Sequence, residues 1–328
     1  VLITGVNGQV GTRLLPKLAE KIGVDKVVCG DVDKQLSKIN QVTMKRKNLS
    51  PDYFQLDVTD KESMEHYITD KKVTCVVHLA GIVSALSEEK PELAKRVNVD
   101  SIYNVLNLAV KYKLRTFVPS SIAVYGPESP KSDLQIDSIK NPFGIFGVSK
   151  LFLEQLGNYY KTSYNVDFRS IRYIPIISPH LQNSNGSTDY VSEIFDYAES
   201  NTEYSLCLSQ GRRISHAYID DVVEGTLSLL EADPNKLTQT TYQINTLNFT
   251  PGDYVEEVKK HYPDLKVDYQ PDIRDIYTQG WPYHFDDSHA RKDIGWSPKF
   301  NSVSKIVSEI IEQRTKTKKF LEMENIRL

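Results

Sequence analysis

The residues whose types and spacing best suit chemistry stand at the start of the chain. Gly5, Gly8 and Gly11 follow the apolar run Val1-Leu2-Ile3-Thr4 and precede a segment with an apolar face. Glycines in that context suit a loop that cradles a pyrophosphate: Gly5 permits a tight turn off a strand, Gly8 lets backbone N–H groups approach the phosphates, and Gly11 lets the next helix pack close to the sheet. Asn7, Gln9 and Val10 complete the loop. The free amides and positive dipole end of that helix would face the anion. Asp31 lies twenty residues after Gly11. A carboxylate there accepts from adenosine ribose hydroxyls and repels a 2′-phosphate, so the expected cofactor is NAD rather than NADP. Asp57 is either an acceptor for the adenine amino group or a helix cap.

Such a loop needs a parallel sheet to carry it. The first two-thirds of the chain alternates short apolar runs with amphipathic segments, the rhythm of βαβ units. Strands are expected at Val1–Thr4, Lys26–Gly30, Tyr53–Leu56, Cys75–Leu79, Thr116–Pro119 and Phe168–Arg172. Helices are expected at Val10–Ile22, Lys61–Lys71, Pro91–Tyr112 and Val148–Tyr164. After Pro175 the rhythm breaks, and Pro179, Asn183, Asn185 and Gly186 mark a loop. The fold class is therefore α/β: a Rossmann doubly wound parallel sheet with a smaller interleaved C-terminal lobe for substrate. Residues 1–175 make the NAD-binding domain, to which 215–234 return, with Tyr218–Leu230 rejoining the main sheet; 176–214 and 235–328 make the smaller lobe. Lys316–Leu328 is expected as a surface helix or tail.

Composition narrows the partners. A net charge of −3 gives no reason to expect nucleic acid. Cys29, Cys75 and Cys207 are isolated and odd in number, which fits a reduced intracellular protein, cytoplasmic or mitochondrial, better than a disulfide framework. The histidines lack metal-ligand spacing, so no metal is expected, and His78 reads as a buried, hydrogen-bonded strand end. No apolar run approaches the ~20 residues of a membrane helix. No signal peptide is evident, and an upstream targeting segment would lie outside this sequence.

Several motifs then carry a resemblance over Val1 to about Phe300: the glycine loop, HLAG at His78–Gly81, Asn98 in VNVD, SSIAVYG at Ser120–Gly126 and GVSK ending at Lys150. Together they resemble the extended short-chain dehydrogenases/reductases. RYIPIIS at Arg172–Ser178, STDYVSEIFDYA at Ser187–Ala198 and WPYHFDDSHARKDIGW at Trp281–Trp296 resemble the short-chain L-threonine 3-dehydrogenases within them. Two segments depart. GRRISHAYIDDV at Gly211–Val222 is written more like sugar-nucleotide epimerases, and Ile174-Pro175 stands where Pro-Gly is usual.

The resemblance implies NAD-dependent oxidation of L-threonine to 2-amino-3-oxobutanoate, with a Tyr base in a YxxxK pattern whose lysine favours phenolate and holds the nicotinamide ribose. Lys150 is that lysine, but the Tyr position is Phe146, which has no proton to exchange. Ser121, twenty-five residues earlier, keeps the family's Ser–Tyr separation and would bond the reacting hydroxyl, with Ser120 as fallback. Turnover is expected to be very slow. Phe146 fits either a change introduced to trap a complex or a natural member with lost or altered chemistry. By the same resemblance Val58, Leu79, Ala80, Gly81, Asn98 and Ile176 would line the cofactor, and Ser84, Ser187, Thr188 and Trp281 the substrate. Arg213 would pair a diphosphate if the chain were a sugar-nucleotide epimerase or dehydratase. A non-catalytic NAD-binding member is the third reading. Asp220 and Asp221 are read as helix caps, and Tyr125 and Tyr173 lack the spacing to serve as base. Helices Pro91–Tyr112 and Val148–Tyr164 carry wide apolar faces for a homodimer.

Overall fold

Each expected apolar run becomes a parallel strand in the computed structural model, which describes residues 1–181 and 186–323. Asn183 and Asn185 of the expected loop, and the end of the expected tail from residue 324, lie outside the described residues. β1 (Leu2–Thr4) leads into α1 (Gln9–Ile22), β2 (Val28–Asp31) into α2 (Lys38–Lys47), and β3 (Asp52–Gln55) into α3 (Lys61–Asp70). β4 (Cys75–His78) leads into α4 (Ser84–Glu89), α5 (Pro91–Lys95) and α6 (Ser101–Tyr112). β5 (Arg115–Phe117) and β6 (Ser120–Ser121) precede α7 (Ile145–Tyr164), β7 (Phe168–Tyr173), β8 (Ile176–Ile177) and α8 (Tyr190–Ser200). There follow β9 (Tyr204–Leu206), β10 (Ile214–Tyr218), α9 (Ile219–Glu231), β11 (Thr241–Gln243), β12 (Leu247–Phe249), α10 (Pro251–Lys259), β13 (Val267–Tyr269), α11 (Ile273–Gln279), α12 (Ser288–Ile294) and α13 (Val303–Met323).

The large sheet runs β11-β7-β5-β4-β1-β2-β3, with β6 also on β7. The chain moves outward from β1 to β3, then jumps back across β1 to β4. That reversal opens a crevice beyond the strands' carboxyl ends, where doubly wound sheets bind ligands. Alternation decides the two cores: Leu2, Val28 and Val76 point to one face, with Met64, Ile68 and Leu153. Ile3, Cys29 and Val77 point to the other, with Leu14, Leu15 and Leu18 of α1. Smaller sheets, β12-β10-β8 and β13-β9, build the second lobe.

Four features differ from the sequence reading. The helix expected over Pro91–Tyr112 is interrupted by a π-helical turn at Arg96–Asp100. There the side-chain amide of Asn98 leaves the helix to bond the backbone of Ile82 in both directions, each at 2.8 Å. Ile214–Tyr218 joins β8 and β12 rather than the main sheet, and the return is made by a helix, α9, against α1 and β7. Thr241–Gln243, assigned above to the smaller lobe, is the edge strand of the large sheet. α2 was not anticipated; its apolar positions Ile39, Val42 and Met44 are too few to mark a period.

Candidate functional site

Gly5 leaves β1 with φ +68°, and a Cβ there would lie 2.4 Å from the backbone nitrogen of Ala80. A Cβ on Gly11 would lie 2.5 Å from the carbonyl oxygen of Val6. Both positions therefore exclude any side chain. Gly8 occupies the N-cap of α1 and brings no capping side chain. The first helical bond runs from Thr12 N–H to the Gly8 carbonyl at 3.0 Å. The amides of Gln9, Val10 and Gly11 ahead of it have no intrahelical acceptor, and no acidic residue sits in the first turn. Gly5, Gly8 and all three line a cavity of about 260 Å³. An uncapped, glycine-walled helix start fits a pyrophosphate.

The adjoining groups fix the loops beside this helix start. The Asn7 N–H donates to Asp31 Oδ2 at 2.9 Å, and burial raises the Asp31 carboxyl above its usual range. The Asn7 side chain is spent on Asp33, Gln35, Ser37 and Asn40, which shapes the loop after β2. Gln9 Nε2 donates to the Ile176 carbonyl at 3.2 Å and to Ser178 Oγ at 2.9 Å, tying the phosphate loop to the second lobe. Leu79, Gly81 and Ile176 line the cavity, while Ala80 contributes the backbone against which Gly5 packs. Besides Asn7, Asp31 and Ala80, three further expected residues are absent from the cavity wall. Val58 is buried in the core beneath the sheet. Asp57 is exposed and accepts from Thr59 N–H and Oγ1, while Asp60 is the residue that caps α3. Asn98 acts through Ile82 and does not line the cavity.

At the far end Ser121, Phe146 and Lys150 line the same cavity. α7 places Phe146 and Lys150 one turn apart, with Nζ 5.6 Å from the ring centroid. Nζ donates to the Pro119 carbonyl at 2.8 Å. The side chain is half-buried, its open surface being the cavity, and enclosure of the amine lowers its pKa to about 8. Ser121 Oγ accepts from the Ala123 N–H. Ser120 donates instead to Glu154 at 2.6 Å. Glu154 accepts two bonds from the buried Arg172, at 2.8 and 2.9 Å, and Arg172 also donates to Tyr125 Oη at 2.5 Å. Tyr173 bonds Thr226 at 2.7 Å, and burial raises its phenol. His78 bridges Thr4 and Ser101, and burial with the Lys150 charge lowers it to about 3, so it is neutral.

The second lobe closes the cavity. Ser84 and the buried Ser187 share a 3.0 Å hydroxyl contact across 103 residues of sequence, and the Ser187 N–H also donates to Ser84 Oγ. Thr188 and Trp281 line the wall beside them. Trp281, Ser84 and Phe146 also border a recess of about 20 Å³ with Tyr277 and Glu88. Glu88 was missed: a Cβ on Gly144 would lie 2.3 Å from its Oε1, so it stands at the start of α7. Gly144 just before that helix was the available signal. Glu154 was missed too, although it continues the Phe146–Lys150 stripe by one turn. Arg213 does not enter the cavity; it is exposed and donates to Asn248 at 2.9 Å. Asp220 and Asp221 are not side-chain caps. Asp220 pairs with Arg13 at 3.4 Å, and Asp221 accepts from the N–H groups of Lys299 and Phe300. Among the described residues no cluster of His, Cys, Asp or Glu could hold a metal ion, and no helix is long and apolar enough to cross a membrane.

A doubly wound sheet whose switch point carries an uncapped glycine-rich helix start, closed by a second lobe, defines a dinucleotide-binding α/β protein. The profile of the NAD dependent epimerase/dehydratase family matches residues 1–244. The mitochondrial L-threonine 3-dehydrogenase of Bos taurus is 37% identical over 302 residues, 92% of this chain and 79% of that one. The crystal structure of L-threonine dehydrogenase from Phytophthora infestans superposes with a TM-score of 0.87 at 35% identity, covering 96% of this chain and 99% of the other. The holo form of the GalE-like L-threonine dehydrogenase from Cupriavidus necator gives 0.88 at 32% identity, covering 95% and 98%. The chain belongs to the NAD dependent epimerase/dehydratase family, as an extended short-chain dehydrogenase/reductase of threonine dehydrogenase-like type whose cofactor is NAD.

Proposed function

We propose that this protein oxidises the C3 hydroxyl of L-threonine to give 2-amino-3-oxobutanoate, slowly, because Phe146 occupies the position of the proton-accepting Tyr. The observation that carries the reading is one cavity lined at one end by the α1 amides, in the middle by Ser121, Phe146 and Lys150, and from the second lobe by Ser187, Thr188 and Trp281. The chemistry NAD supplies when bound is acceptance of a hydride. The α1 amides hold the pyrophosphate, Asp31 the adenosine ribose and Lys150 the nicotinamide ribose. Ser121 orients the reacting hydroxyl, and Ser84, Ser187 and Thr188 hold the polar end of the amino acid. Trp281 excludes water above it. Residues 176–214 and 235–328 serve as the substrate lobe, apart from the strand Thr241–Gln243. A homodimer through α6 and α7 belongs to the same reading, since Tyr103, Val148, Tyr159 and Tyr164 are exposed there; a monomer in light scattering at micromolar concentration refutes it.

Arg213 argues against a sugar-nucleotide substrate, because the guanidinium that would grip a diphosphate lies outside the cavity and is bonded to Asn248. Thermal shift tests the choice: NAD with L-threonine stabilises the protein and UDP does not. The decisive variant is Phe146→Tyr, which is expected to reduce NAD in the presence of L-threonine. Background rates from that variant reject the dehydrogenase reading.

A further inference from the structure

We propose that Lys150 is itself the proton acceptor in this site, taking the substrate's hydroxyl proton directly on Nζ in the absence of a phenol at position 146. The inference rests on the dehydrogenase reading above and extends it.

The geometry begins with what surrounds Nζ. The neighbouring carboxylates are engaged elsewhere. In the π-helical turn packed on α7, Asp100 accepts from Lys95 at 3.1 and 2.9 Å. On α7, Glu154 is committed to Arg172 and Ser120. On α4, Glu88 is held at the helix start by the Phe146 N–H, at 3.4 Å. Before α8, Asp189 accepts from the Gly186 N–H. On β4, both ring nitrogens of His78 are used by Thr4 and Ser101. On β7, the Tyr173 phenol faces Thr226. Among the described residues no carboxylate forms an ion pair with Lys150, and its contacts are the Pro119 carbonyl and the Phe146 ring.

An enclosed ammonium without a counter-charge loses more solvation than it regains, so the neutral amine is favoured. Burial accordingly brings this lysine down to about 8. One N–H of the neutral amine serves Pro119, the second is left for the nicotinamide ribose assigned to it above, and the nitrogen lone pair remains for a proton. Lys150 lines the cavity together with Ser121, the residue assigned to the reacting hydroxyl. The step balances as an alcohol oxidation. The O–H bond breaks and its proton becomes the third N–H of the ammonium. The C3–H electron pair leaves as hydride to oxidised NAD, and a C=O bond forms. The ammonium then returns its proton to water.

Two measurements test this. The first needs no cofactor: the protein is labelled with ¹³C at the lysine ε-carbons, and the Lys150 resonance is assigned by its loss in Lys150→Arg. Its titration midpoint is expected near 8, and a midpoint in the ordinary lysine range overturns the proposal. The second is a double-mutant cycle with NAD and L-threonine. Turnover of the unaltered protein should rise tenfold per pH unit and level off above about 8. Lys150→Arg keeps the positive charge but cannot accept a proton. It should cost at least ~100-fold in the unaltered protein, the scale of lost acid–base assistance, and much less when combined with Phe146→Tyr. Equal losses in both backgrounds, or a flat pH profile, overturn the proposal. If Phe146→Tyr is active while the unaltered protein is silent up to pH ~10, where a lysine of ordinary pKa begins to lose its proton, the proposal fails and the dehydrogenase reading stands. Silence from both removes the two together.

Discussion

One end of the cavity is walled by backbone; the other is walled by side chains. The phosphate end comes from a continuous stretch, Thr4 to Gly11, in which two glycines are demanded by contacts of 2.4 and 2.5 Å. The reacting end gathers Ser84, Ser121, Phe146, Lys150, Ser187 and Trp281 from separate elements. A backbone site tolerates little change, because any added atom collides. A side-chain site can lose one reacting group and keep its shape, and under the function proposed above Phe146 is such a case. Binding and chemistry should therefore fail independently.

The largest effect expected from this separation is at the side-chain end. Phe146→Tyr should raise kcat by ~10²–10⁴, the usual contribution of a positioned acid–base group, while NAD affinity measured by calorimetry changes little. A parallel change in affinity would show that the two ends are coupled. Next in size is Glu154→Ala, which leaves Arg172 buried without its partner and should cost ~3–5 kcal/mol in urea unfolding. Ser120 loses its acceptor at the same time, so the strand end that carries Ser121 should loosen and KM should rise. An unchanged denaturation midpoint would remove Glu154 from this account.

Gly11→Val attacks the backbone end. The side chain must displace Val6, which should destabilise the fold by ~1–3 kcal/mol, as overpacking does. NAD binding should drop below detection by calorimetry, even when Phe146→Tyr is present. The smallest effect is on the pH dependence of stability. Lys150 titrates near 8 in the fold, against an ordinary 10.5. Between those values the folded state holds fewer protons than the unfolded chain, so stability rises with pH there, by up to roughly 1.4 kcal/mol per unit. Lys150→Met should remove that slope in urea unfolding between pH about 8 and about 10, and an unchanged slope would mean the amine is not enclosed.

Much of the parallel scaffold was legible because its signals are local. An apolar run of four residues between turns reads as a strand, and glycine spacing after such a run reads as an anion loop. Asp31 was found by distance along the chain and does stand beside Asn7. The internal commitments of polar side chains were not legible. Asp57, Asn98 and Arg213 all have suitable chemistry for a ligand, and each also bonds a protein partner: Thr59, Ile82 and Asn248. Whether a polar group is spent internally depends on what the fold brings beside it. The break at Arg96–Asp100 belongs to the same class, since the apolar spacing there is helical and only the loop after β4 explains the detour of Asn98.

Residue identity alone determined where strands alternate with helices, where the backbone must turn without a side chain, and that a phenyl ring stands one turn before Lys150. Those follow from steric limits and periodicity acting within a few residues. Tertiary structure alone decided that Ser84 meets Ser187, that Thr241–Gln243 finishes the large sheet, and that among the described residues no carboxylate pairs with the amine of Lys150. Burial and pairing are properties of neighbours in space, and here those neighbours lie as much as a hundred residues apart in the chain.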